Sequence, residues 1–141
     1  MKTVHPSGML KAALLCDAVA SAGVALAHLL LNRFLVERLG LDSRLLLYTG
    51  LFLLGYANLL LVLAYTDRVW VWLLRVIIVG NGAWAAGCLL LALAPGLGTT
   101  SLAAGFLGLQ ALATLAFAGW EYAGLQASSG MRRMAVAGAR S

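Results

Sequence analysis

Residues Leu45 to Tyr65 read LLLYTGLFLLGYANLLLVLAY, an apolar run without one charged side chain. About 20 such residues, rising 1.5 Å each as a helix, cross the hydrocarbon core of a bilayer. Three further runs of similar length lie at about Leu10 to Leu31, Val69 to Leu93 and Ser101 to Tyr122. The pattern predicts an all-α integral membrane protein, a four-helix transmembrane bundle running up-down-up-down.

The rest of the composition leads the same way. The chain has 141 residues, of which 62% are hydrophobic and 11% charged, where a soluble domain carries about a quarter charged. A surface this poor in charge faces lipid. The length suits one transmembrane domain, residues 1–125, followed at 126–141 by a small, polar, basic stretch expected to be a mobile cytoplasmic tail. The net charge is +5, but the basic residues sit between and beyond the apolar runs, where they orient helices and attract anionic lipid headgroups. No basic stretch is interleaved with aromatics, which argues against nucleic acid as a partner.

Lys2 and Lys11 precede the first run, and Ala18-Val19-Ala20 loosely fits a signal-peptide cleavage site. The run continues past that site to Leu31, however, and Asp17 interrupts it, so a retained helix is expected. The connection at Asp67-Arg68 is so short that the second and third helices are expected to be antiparallel neighbours. Pro95 to Thr100 breaks the chain before the fourth run, with Thr99, Thr100 or Ser101 available to cap it. Between Asn32 and Arg44, charged and apolar residues alternate as in an amphipathic segment lying at the interface. Counting Lys and Arg on the two sides places both termini in the cytoplasm.

Polar side chains at membrane depth are costly and usually face the bundle interior. Counted from the run ends, Asp17, Asn58 and Arg75 reach similar depth, with Asn81 deeper and Glu121 near the end of the fourth run. A cluster of Asp17, Asn58, Arg75, Asn81 and Glu121 is therefore expected in the inner half of the membrane. Asp17 and Arg75 either neutralise each other as a structural pair that fixes helix register, the favoured reading, or form part of a proton, ion or small-ligand site. On the first run Asp17, Ser21, Val24, His28 and Asn32 share one face, and on the fourth Gln110, Thr114, Phe117 and Glu121 do so. On the third run Arg68, Trp72, Arg75, Val79, Gly82 and Ala86 share a face, and on the second Gly55, Asn58, Val62 and Tyr65. Ser21, His28, Gln110 and Thr114, with Trp84 deep in the third run, are candidate pocket-lining residues.

Cys16 and Cys88 have no ligand spacing, and His5 and His28 are badly placed for facing haem ligands. No metal and no cofactor is expected. No nucleophile, phosphate-loop or dinucleotide motif occurs, so no catalytic residues are assigned and no enzyme is expected.

The stretches LLCDAVASAG (14–23), GLDSRLL (40–46), VGNGAWAAGCLLL (79–91) and ALATLAFAGWEYAGLQ (111–126) resemble a family of uncharacterised small proteobacterial four-helix integral membrane proteins. The resemblance is one of pattern. It implies a multi-pass protein of the bacterial inner membrane and carries no activity with it. Three functions fit these readings. The first is a non-enzymatic accessory, assembly or stabilising component of a membrane complex, whose partner is another membrane protein or a second copy of itself. The second is a small transporter or proton- or ion-coupled carrier using Asp17 and Glu121. The third is a lipid- or quinone-binding protein with Trp84 and Asn81 at its pocket.

Overall fold

The computed structural model describes the backbone of residues 2–93 and 100–138, and the side chains of 2–93 and 100–130. Four helices in it are long and apolar enough to cross a membrane: α1 (Gly8–Leu30), α3 (Ser43–Tyr65), α4 (Val71–Leu93) and α5 (Ser101–Gly138). A short helix α2 (Asn32–Leu39) follows α1. Two two-residue strands, β1 (Thr3–Val4) and β2 (Val69–Trp70), pair antiparallel. Residues 126–138, expected as a mobile tail, continue α5 instead. The Pro95 to Thr99 part of the predicted breaker lies outside the described residues.

Each helix end has a local cause. Ser7 caps α1 by accepting from Leu10 N at 3.2 Å, and its own N–H donates to Ser128 Oγ at 3.0 Å. That second bond ties the start of α1 to α5, as an even number of crossings requires. Asp42 caps α3 through Oδ1, which accepts from Arg44 N and Leu45 N at 2.9 and 3.0 Å. Thr100 caps α5 at Ala103 N and donates to the Arg38 carbonyl at the end of α2. The α2 segment has the amphipathic form expected of it: Leu35 and Leu39 are buried, while Arg33 and Glu37 pair at 3.6 Å on the exposed side. Gly40, at φ 69°, ends α2 in the left-handed region that glycine enters at least cost.

The helices pack in the order α3, α1, α5, α4. Two close approaches hold that order. A Cβ at Gly124 on α5 would stand 2.8 Å from Leu10 Cα, and one at Gly50 on α3 would stand 3.0 Å from His28 Cβ. These small residues let backbones come together as membrane bundles require. The second and third crossings, α3 and α4, differ from expectation. They are antiparallel but make only sparse backbone contact. The reason lies in residues 66–70: Val69 and Trp70 are β-branched and aromatic, and they extend to pair with Thr3 and Val4 rather than closing a tight turn. Apolar side chains of the two helices meet beside this small sheet, where Leu60, Leu63, Ala64, Leu74 and Ile77 share a core with Val4 and Val69. Beyond it, the helices are bridged by side chains across a gap.

Candidate binding site

The helix starts set which polar groups share a level. Because α1 begins at Gly8 and α4 at Val71, Asp17 and Asn81 lie nine and ten residues in, roughly 14 Å along each axis. Tyr56 lies nine residues back from Tyr65, the end of α3. These three meet. Asn81 Nδ2 donates to Asp17 Oδ2 at 2.9 Å and to Glu121 Oε2 at 3.1 Å. Tyr56 Oη lies 3.0 Å from Asp17 Oδ2 and 2.9 Å from Asn81 Oδ1, and Ser21 Oγ donates to Asp17 Oδ1 at 3.0 Å. All four membrane-spanning helices therefore contribute to one hydrogen-bonded group.

The hydrogen count of this group is tight. Ionised carboxylates only accept, so Ser21 and Tyr56 bring one hydrogen each and Asn81 brings two. Four hydrogens face five contacts. Either the Tyr56 hydroxyl hydrogen is shared between two acceptors, or a proton on Asp17 Oδ2 supplies the fifth bond. Glu121 Oε1 is buried with no hydrogen-bond partner, and neither carboxylate forms an ion pair among the described residues.

Asp17, Ser21, Tyr56 and Asn81 close one end of a cavity of about 640 Å³ between α3 and α4, backed by α1 and α5. Its walls are largely apolar: Val24, Leu53, Phe106, Phe117 and the ring pair Phe52 and Trp84, which stack at 5.9 Å and 11° across the gap between α3 and α4. His28, Gln110 and Thr114 line it as well, so every residue proposed above as pocket lining borders this space. His28 Nδ1 lies 3.0 Å from Thr49 Oγ1, and its Nε2 has no partner. A volume of this size, apolar with a few convergent polar groups, is the form taken by small-molecule sites.

Two residues of the expected cluster lie elsewhere. Arg75 is exposed and forms no pair with Asp17. It precedes Asn81 by six residues, about 240° around the helix, so the face that holds Asn81 turns Arg75 away. Four residues from the start of α4, its long side chain has only about 6 Å to climb to the interface. The expected stripe of Trp72, Arg75 and Val79 is the outer face of α4, with Val79 69% exposed. Asn58 follows Tyr56 by two residues, just over half a turn, and donates to the Leu54 carbonyl of its own helix at 2.8 Å. Glu121, expected near the end of the fourth run, joins the cluster and is 1% exposed, and α5 runs on well past it.

Tyr56 and Thr49 are the polar lining residues the sequence reading missed. Both are available in principle: Tyr56 is a hydroxyl at the same depth as Asp17, and Thr49 is seven residues from it on the same face. No group of three or more His, Cys, Asp or Glu side chains that could hold a metal converges among the described residues. Comparison with protein-family models, curated proteins and solved structures gives no match.

Proposed function

We propose that the protein binds, within the bilayer, an apolar molecule with one polar end, held in the cavity between α3 and α4 with that end against Asp17, Tyr56 and Asn81. One observation carries the reading: an apolar space of about 640 Å³ that terminates on a buried carboxylate, an amide and a phenol. Acceptor oxygens dominate that end, so a hydrogen-bond donor or a cationic head suits it. A lipid or a quinol-like molecule belongs to this class. The sparse contact between α3 and α4 supports entry sideways from the lipid. The membrane is taken to be the bacterial inner membrane, with both termini cytoplasmic, on the Lys and Arg distribution and the family resemblance. The test is native mass spectrometry of protein released from nanodiscs. Retained lipophile is expected in the wild type and lost in Gly87→Phe, because Gly87 lines the cavity and a Cβ there meets no atom within 4 Å. Equal retention in the two proteins rejects the reading.

A second reading, a proton-coupled carrier, is favoured by the bonding of Asp17 and Glu121 to the same amide nitrogen. Like charges held that close repel, and exchange of one proton for a cationic head relieves the repulsion. Flux of a lipophilic cation in proteoliposomes then falls in Asp17→Asn with the fold retained, and unchanged flux removes the carrier role. The accessory-component reading gains no specific support from the geometry.

A further inference from the structure

The cavity has a second polar pole, and its hydrogen inventory has a direction. Thr49 Oγ1 donates to the Leu45 carbonyl at 2.7 Å, with the Leu46 carbonyl at 3.2 Å. Its one hydrogen is thereby committed to the backbone of its own helix. That commitment assigns the 3.0 Å contact with His28 Nδ1 to an N–H on the ring, with Thr49 accepting. A neutral imidazole protonated at Nδ1 leaves Nε2 as a bare acceptor, and that atom is buried without a partner in a residue 4% exposed. Gln110 lines the same space one turn from Phe106, whose ring lies 6.1 Å from the His28 ring. No hydrogen bond among the described residues engages the Gln110 side-chain amide.

We propose that the occupant of the cavity carries a second polar group, a hydroxyl or other hydrogen-bond donor, that donates to His28 Nε2 at the end remote from Asp17. This rests on the binding reading above and adds the ligand's far end to it. His28 stands eleven residues beyond Asp17 on α1, a rise of roughly 16 Å. The lining between them is largely apolar, and the hydroxyls of Ser21 and Thr114 are already bonded to Asp17 and to the Gln110 carbonyl. The cavity thus takes a molecule that is polar at both ends and greasy between, of about that length. A hydroxyl suits the far pole, since it donates to Nε2.

The test uses the full chain in nanodiscs with Trp70→Phe, Trp72→Phe and Trp120→Phe, leaving Trp84 in the cavity wall as sole indole reporter. 12-Bromododecan-1-ol serves as a heavy-atom quencher, displaced in turn by 1,12-dodecanediol, 1-dodecanol and 12-methoxydodecan-1-ol. The diol is expected to displace it at roughly tenfold lower concentration than the other two, which lack a donor at the far end. The difference should vanish in His28→Leu. The ring ¹⁵N shifts of His28 should independently report protonation at Nδ1, with Nε2 moving when the diol is added. Saturable quenching with equal displacement by all three compounds, or a ring protonated at Nε2, overturns the second pole and leaves the binding reading standing. Quenching that does not saturate and is unaffected by Gly87→Phe removes both.

Discussion

The side-chain nitrogen of Asn81 stands 2.9 Å from Asp17 Oδ2 and gives its other hydrogen to Glu121, so one amide joins α1, α4 and α5 near the middle of their length. Asn81→Leu removes both donors and leaves two buried carboxyls short of partners. The expected loss is on the order of 3 kcal/mol in reversible SDS unfolding. Replacing Asn81 and Glu121 together by Leu should recover part of it, since a polar group removed with its partner costs less than one left behind. A double variant less stable than the single one contradicts the network.

The tight hydrogen count has a spectroscopic consequence. If a proton on Asp17 supplies the fifth bond, infrared spectra at neutral pH show the carbonyl stretch of a carboxylic acid, shifted by exchange into D2O and lost in Asp17→Asn. If the Tyr56 hydrogen is shared instead, that band is missing, and Tyr56→Phe shifts the carboxylate stretches, because Asp17 then loses a hydrogen it accepts.

Arg75→Leu should alter stability by no more than about 0.5 kcal/mol, as expected of an exposed side chain. Breaking a buried pair with Asp17 would cost about 3–5 kcal/mol. The same unfolding assay distinguishes the two arrangements, and the larger value would return Arg75 to the interior.

Gly124→Ala places a methyl group 2.8 Å from Leu10 Cα, so α1 and α5 must part where Ser7 joins Ser128. A loss of about 1–3 kcal/mol is expected. Gly119→Ala on the same helix meets no atom within 4 Å and should gain up to about 1 kcal/mol. Thermal midpoints in one detergent compare them directly, and equal effects would deny the close approach.

The four crossings were legible because hydrocarbon thickness dictates run length, and α1 and α5 revealed their inner faces because polar residues recur there every three or four positions. α3 and α4 gave no such guidance. Both are apolar on nearly every side, so their few polar residues, Asn58 and Arg75 among them, had no contrasting face to be measured against. Depth was the second difficulty. Starting α1 at Leu10 and α4 at Val69 matched Asp17 to Arg75, whereas starts at Gly8 and Val71 match it to Asn81. Two residues at each end changed the partner. Tyr56 carries no distinguishing signal in the sequence, because an aromatic residue in an apolar run is as readily an interfacial or packing residue, and the extended course of residues 66–70 depends on a strand partner at Thr3 and Val4, far away in sequence.

That strand pairing also orders assembly. β1 cannot pair until Val69 and Trp70 have been synthesised, by which point two complete membrane-spanning helices, α1 and α3, have been made. Until then α1 stays in the membrane on its own hydropathy and its packing against α3. The ladder therefore acts as a late latch: it closes over the α3–α4 connection once the third crossing has begun, and it fixes one end of the gap between them.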